Sequence, residues 1–539
     1  MDSQQNAPEQ KEKPSNSFTP VQEKKGSRKK PIIIGLIVLL LAALISFGVV
    51  SYFKKQSDND KKQSNSKDIK HLTIATLDYP LDSFFPDSDA TYAYYYIVNN
   101  QLAEGLVAYE GMTKIVPRLA TSWKNPDENT WVFDLKKGVK FHTGRTMTAD
   151  DVVYSINRTK QDDMVQNYSL YSGTVSSVKA LSKYQVEIKT DKPDAVLLNK
   201  LSMLHIIDSK GDNNTATGGT GAYIIKPGTE PSERNLDLVA FDDYHGGRPM
   251  TRQLSYFVVD SEDAAVDAVK NGKANIGGEI TGEAISRLDK SSEKVKKISG
   301  SFVTYLSINT TRPNTPLQKK EVRQALRLAI DVDKVIKDAK IEASPVSQSV
   351  TQEIPGYNPD IKVPKQNIEK AKQLLADAGY PNGFTINLTH TKEGNELLAK
   401  SIQSQLAAIG VKIEDVNLEN NDFDAFYSMV TSGQTDLAIL GYSSDTYDAY
   451  DVYDGVFRQD GIYKSDQLDE YMSKAESTFD VKKRLKVLQD IAAYANEDTP
   501  VIPLFSRSYY WLTDNDNYVL PRDIFNQALG VYYWKAHLK

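Results

Sequence analysis

From Ile32 to Tyr52 the chain runs IIIGLIVLLLAALISFGVVSY without a single charge. As a helix rising about 1.5 Å per residue, the run spans roughly 30 Å, the thickness of a membrane's hydrocarbon layer. A cleaved leader has a shorter apolar region of about 7–15 residues and a small-residue cleavage site; neither is found here. Residues 31–53 are therefore read as a transmembrane signal-anchor helix, with a basic tail at 1–30 before it. Basic residues flank it on both sides, Arg28 to Lys30 before and Lys54 and Lys55 after, so the charge rule for orientation does not discriminate. Residues 54–70, rich in Lys, Ser, Asn, Asp and Gln, have too few apolar side chains to fold. They read as a tether with a reach on the order of 20–25 Å.

The remaining body is too long for one core, so two or three lobes are expected. Residues 1–70 carry 13 Lys or Arg against 7 Asp or Glu, a balance of +6; with −6 overall, the body holds −12. An acidic body excludes nucleic acid as the natural partner. The chain has no cysteine, which removes disulfides, thiol catalysis and thiolate metal sites. Its 30 tyrosines divide between core packing and adaptable recognition surfaces. No G-x-S-x-G, H-E-x-x-H, P-loop or G-x-G-x-x-G occurs, so the chain is read as a non-enzyme without cofactor. Six histidines, none paired at i,i+3 or i,i+4, argue against a protein-only metal site.

Local patterns place several elements. Residues 119–158 read LATSWKNPDENTWVFDLKKGVKFHTGRTMTADDVVYSINR. The alternation Trp131, Phe133, Leu135 predicts a half-buried strand after a loop carrying Trp123. Thr148 to Asp151 predicts a capping box opening a helix with Val152, Val153 and Ile156. Leu72 to Ala75 predicts a strand. Ile368, Ala371, Leu374, Leu375 and Ala378 form a helical stripe closed by Gly379 and Pro381; Leu398, Ile402, Leu406 and Ile409 form another, ending at Gly410 before the strand Val411 to Val416. Alternating strands and helices make an α/β lobe the physical expectation.

The 119–158 passage closely resembles the signature of family 5 extracellular solute-binding proteins, the peptide receptors of ABC importers. Further landmarks follow in the same order: Gly219 to Tyr223 resembles a GTGPY turn with Ala222 in place of proline, then Leu306 to Asn309 with Val322 to Leu326, and Ala371 to Leu375 with Ala378 to Tyr380. The resemblance covers about residues 71 to 539. It implies a two-lobed, type II periplasmic-binding-protein-like α/β fold with an inserted subdomain. Lobe I would combine 71–113, 215–305 and 500–539; the insert would be 114–214 and lobe II 306–499, with hinge crossings near 305 and 500. The short tail would lie inside the cell and the body outside. Gram-positive relatives usually carry a lipid-modified cysteine after the apolar stretch; this chain reads Phe47-Gly48-Val49-Val50 instead.

The resemblance also implies a site. Gly441, Tyr442, Ser443, Ser444 and Asp445 match a GWxxDxxDP-like segment at the end of a lobe II strand, Tyr442 replacing Trp and Ala449 the proline. There Asp445 would hold the ligand's α-ammonium group; otherwise it caps a local turn. Thr91, Tyr92, Ala93 and Tyr94 would lie beside the peptide as an added strand; their alternative is packing. Phe423 stands where relatives often have an aromatic pocket wall, and Ile439 where some oligopeptide binders carry a base. Asp445, Asp448, Asp451 and Asp454 do not match a calcium loop and read as a solvated acidic helix start or loop. The implied partners are a peptide ligand and the membrane permease of an ABC importer, the receptor itself being monomeric. The family's nickel, haem, sugar and opine receptors, or a surface sensor or adhesin uncoupled from transport, are the alternatives.

Overall fold

The computed structural model describes residues 68–77, 101–110, 114–160, 173–211, 218–229, 234–286, 288, 294–391, 395–418, 423–444, 446–459, 461–520 and 532–539. The apolar run Ile32 to Tyr52, Thr91, Tyr92, Ala93, Tyr94 and Asp445 lie outside the described residues. No described helix is long and apolar enough to cross a membrane.

One strand organises the body. Val501–Thr513 is 13 residues long, and its neighbours change along its length. Its first half pairs antiparallel with Val303–Ile308 and Ala343–Pro345; its second half pairs with Ile276–Thr281 and Val295–Ser299. Two fans of strands thus share it in a 12-stranded sheet. On one side follow Leu437–Tyr442, Thr385–Thr391 and Lys412–Leu418; on the other, Leu72–Thr76, Gln253–Val258, Asn235–Ala240 and Tyr223–Ile225. These two fans are the α/β halves, and Val501–Thr513 is called the shared strand below.

Alternation along the strands assigns the faces. Leu306 and Ile308 point into a core with Leu326, Leu375, Leu388, Ile402 and Leu437, covered by helices Lys320–Ala329, Val332–Ala339, Ile368–Asp377 and Glu396–Ala407. Tyr305, one residue out of phase, joins Ala438, Leu440, Val452 and Ile491 on the opposite face, under helices Ala449–Asp454, Asp466–Ser477 and Val481–Asp498. The two predicted stripes form helices, and Gly379 (φ +93°) and Gly410 (φ +85°) terminate them in the left-handed conformation.

The signature passage builds a separate layer, the four-stranded sheet Ala120–Asp127, Thr130–Leu135, Gln185–Thr190, Val175–Ser182, packed under helices Ala149–Arg158 and Leu197–Met203. The Asp151 carboxylate accepts the Thr148 N–H at 2.8 Å, the reciprocal half of the expected capping box. One expectation is corrected: Trp123 belongs to an edge strand, not a loop, with its ring 6.5 Å from Phe133. In Thr130–Leu135 the alternate residues Trp131, Phe133 and Leu135 enter the core as expected, while Asp134 is exposed on the other face; Val132 there is also buried, between the two flanking strands. The turn Gly219 to Tyr223 needs its glycines: a Cβ on Gly219 would lie 1.9 Å from the Leu102 carbonyl oxygen, and one on Gly221 2.2 Å from that of Gln101.

Candidate ligand-binding site

Strand Leu437–Tyr442 ends beside the start of Val303–Ile308, with Tyr442 opposite Val303 and Gly441 opposite Thr304. Thr304 in turn faces Phe505 of the shared strand. Gly441 and Phe505 are thus two strand spacings apart, roughly 10 Å. Gly441 leaves room for the Phe302 ring, whose Cζ would stand 2.0 Å from an added Cβ, and Gly455 makes the same room for the Tyr442 ring. Tyr442 and Ser443 are half-buried, and Phe302 is exposed.

Beyond Ser443 the chain is pinned by a polar network. The Ser444 hydroxyl donates to Asp451 Oδ1 at 2.8 Å and accepts the Asp448 N–H at 2.9 Å. Asp451 Oδ2 accepts the Thr446 N–H at 2.8 Å. The Thr446 carbonyl accepts from Asn199 Nδ2 at 3.1 Å and from the Tyr109 hydroxyl. Tyr447, buried, adopts a left-handed φ of +49° and packs edge-on against Tyr109 with centroids 5.1 Å apart. Holding a bulky residue there costs on the order of 1–3 kcal/mol, which the surrounding contacts must offset. Asp448 caps helix Ala449–Asp454 and is gripped by Arg484 at 2.6 and 2.8 Å. Burial works against the Arg484 charge, but the Asp448 carboxylate outweighs it and raises its pKa. The solvated acidic stretch expected here is corrected: Asp448 and Asp451 are buried, with their carboxylates satisfied by Arg484, Ser444 and backbone N–H groups.

A hollow of about 460 Å³ opens where the shared strand changes neighbours. Lys297, Gly300 and Ser508 line it on one side, Ser344 to Ser347 and the 351–363 segment on the other, and Arg507 stands in its wall. Arg507 sits opposite Ala343 in the register, and Ser508 opposite Ser299.

The central part of the chain, residues 114–464, matches the model of the bacterial extracellular solute-binding proteins, family 5. The chain belongs to that family. Among curated relatives, the oligopeptide-binding protein AppA of Bacillus subtilis is 27% identical over 89% of this chain and 94% of its own length. The nickel-binding protein NikA of Staphylococcus aureus is 29% identical over 74% and 82%. The solved structure of HbpA2 from Haemophilus parasuis superposes with a TM-score of 0.75 at 22% identity, covering 87% of this chain and all of that one. The two-lobed receptor architecture is therefore shared.

In this family 5 protein the predicted residues part ways. Gly441, Tyr442 and Ser443 lie together at the strand end, whereas the Ser444 hydroxyl is committed to the loop. Phe423 opens helix Phe423–Thr431, is 60% exposed, and stacks on Tyr427 with centroids 5.9 Å apart, leaving one ring face to solvent. Two groups escaped the sequence reading. Arg507 is the single charge in VIPLFSRSYYWLT, a signal that could have been noticed. Arg484 could not have been paired with Asp448 from its position 36 residues away.

A second polar knot surrounds Glu104, which gathers side chains from residues 118, 220, 244 and 245. The Glu104 carboxylate accepts from Tyr244 at 2.8 Å, His245 Nε2 at 2.7 Å and Thr220 at 2.9 Å, with Arg118 Nε at 3.7 Å. Burial pushes its pKa up, but the His245 ring, the Arg118 guanidinium and the Tyr244 hydrogen bond outweigh this and hold it at about 2.

Proposed function

We propose that this family 5 receptor captures peptides outside the cell and delivers them to the permease of an ABC importer, held at the membrane by its apolar run, tail inside and body outside. The observation that carries this reading is the AppA likeness over nearly the whole of both chains, joined to a strand end at Gly441 to Ser443 whose following loop is rigidly held. Lobe I (71–113, 215–305, 500–539), the insert (114–214) and lobe II (306–499) would close around the ligand, the shared strand serving as part of the hinge. Asp445 would take the peptide's ammonium group, flanked by Ser444 and Thr446, whose hydrogen bonds fix the chain on either side. Thr91 to Tyr94 would add a strand alongside the peptide, and Phe423 would wall a side-chain pocket. A ligand touching both lobes only when they close shifts the population to the closed form.

Mass spectrometry of material retained by the purified protein tests this: short peptides are expected. A nickel complex is the second reading, favoured by the NikA relative; recovery of nickel and no peptide would replace the first.

A further inference from the structure

Helix Lys320–Ala329 turns three side chains onto the end of helix Val481–Asp498. Arg323 Nε donates to the Asp498 and Thr499 carbonyls at 3.0 and 3.1 Å, and its Nη2 grips the Asp498 carboxylate. Gln324 Nε2 donates to the Glu497 carbonyl at 2.7 Å, and Arg327 Nη1 to the Asn496 carbonyl at 2.9 Å. The last carbonyls of a helix lack partners within it and carry the negative end of its dipole, so donors there are favourable. Arg323 and Gln324 already serve that end. What Arg327 adds is a second arm, Nη2, which donates to the Ser347 carbonyl at 3.2 Å.

Ser347 lines the hollow, and Arg327 does not. Ser347 Oγ donates to the Ile361 carbonyl at 3.0 Å, and the Gln348 side chain brackets Asn358, donating to its carbonyl at 2.8 Å and accepting its N–H at 2.9 Å. These bonds tie the 344–363 wall into one piece, whose Val346 N–H meets the Leu504 carbonyl of the shared strand at 3.0 Å. Arg327 is 8% exposed, and among the described residues no carboxylate pairs with it. Burial pushes its pKa down to about 10, so the guanidinium stays charged at pH 7. A buried cation without a counter-charge is costly, and an apolar side chain would serve packing alone better. The guanidinium fork instead spans two backbone segments at once, which a compact ammonium does less well. We infer that Arg327 is a positioning residue for ligand binding: it sets the Ser344 to Ser347 wall of the hollow against the end of helix Val481–Asp498, where the chain enters the shared strand, without touching the ligand. The inference rests on the peptide-receptor reading, with the hollow as part of the space the peptide fills.

The test uses the full-length chain in detergent micelles, incubated with random tri- to pentapeptides, and measures the peptide retained per folded protein by mass spectrometry. Hydrogen–deuterium exchange is followed in parallel on ligand-free samples. Arg327→Met removes both arms. It should retain about 10-fold less peptide, and amides in 344–351 should exchange faster. Its melting temperature should stay within about 3 °C of wild type, because the buried charge leaves together with its bonds. Arg327→Lys should keep part of the retention. Gln324→Ala, which acts at the same helix end without reaching the wall, should match the wild type in retention and in exchange at 344–351. Equal retention by Arg327→Met and the wild type would overturn the positioning role and leave the peptide reading standing. Equal losses in Arg327→Met and Gln324→Ala would trace the effect to the helix end as a whole and also overturn it. No peptide retained by the wild type would overturn the peptide reading. Exchange then decides on Arg327: faster exchange at 344–351 in Arg327→Met sustains its hold on the wall, and unchanged exchange overturns it. Should Arg327→Met not fold, Arg327→Lys decides, wild-type retention and exchange in that variant counting against the role.

Discussion

Arg484 holds Asp448 through two nitrogens, at 2.6 and 2.8 Å, and so fixes the end of the loop that follows strand Leu437–Tyr442. Both side chains are largely buried, at 11% and 6% exposure. Breaking a buried pair by removing one partner typically costs about 3–5 kcal/mol, because the other charge is left behind. Arg484→Leu should therefore destabilise the body by that order and weaken ligand binding. The double change Arg484→Met with Asp448→Leu should recover much of the stability but not the affinity, since Asp448 also caps helix Ala449–Asp454 and accepts the Tyr450 N–H. Urea denaturation and peptide calorimetry measure the two separately.

Asp445→Ala should weaken peptide binding by on the order of 30-fold, the loss of one member of a desolvated charge pair. N-acetylation of the peptide should weaken wild-type binding similarly and add little in the variant. Equal affinity for free and acetylated peptides would end the assignment.

Gly219 and Gly441 both accept close neighbours, yet their substitutions should differ. A Cβ on Gly219 meets the Leu102 carbonyl oxygen at 1.9 Å, and backbone on both sides has nowhere to go. Gly219→Ala should cost about 3 kcal/mol or more. At Gly441 the obstacle is the far end of the exposed Phe302 ring, which swings away. Gly441→Ala should leave stability within about 1 kcal/mol of wild type. Thermal melts of the two variants give the comparison directly.

What could be read in the sequence follows from how local each cause is. Helices Ile368–Asp377 and Glu396–Ala407 were legible because the apolar period and the terminating glycine lie within one segment. Trp123 was misplaced because Ala120–Asp127 alternates weakly, with Thr121, Ser122 and Lys124 all exposed; its strand character comes from its partner Thr130–Leu135. The acid repeat from Asp448 was read as solvated because its neutralising Arg484 arrives from a different helix. The hollow draws its wall from around residues 297–300, 344–363 and 506–508, which no local pattern brings together. The candidate role of Gly441 to Ser443 comes only through resemblance to a family, because no local pattern in the segment carries it.

Glu104 sets an acid limit. Its folded pKa of about 2 lies below the ordinary 4.5, so the native state binds fewer protons than the unfolded one. The stability this contributes is fully present above about pH 4.5 and lost as the pH falls toward 2. At about 1.4 kcal/mol per unit the contribution is on the order of 3 kcal/mol. Glu104→Gln should lower stability at pH 7 and flatten the profile between pH 5 and 3. A variant with the wild-type acid slope would show that other carboxylates govern it.

The anchor prediction follows from the charge-free run Ile32 to Tyr52 and from the absence of cysteine anywhere in the chain. Without a cysteine there is no thiol for a lipid, so the proposed retention would rest on the polypeptide itself. An apolar helix long enough to cross the hydrocarbon layer holds a protein in the membrane far more durably than a single acyl chain. The full-length protein should stay in the membrane fraction at its uncleaved mass and incorporate no labelled fatty acid. Protease added outside the cell should remove the body and leave the basic tail protected. Because 54–70 contributes no core by composition, shortening the tether should leave peptide affinity in detergent unchanged while lowering uptake, as the body's effective concentration at the permease changes. Recovery of a mature soluble form beginning near residue 54 would reject the anchor.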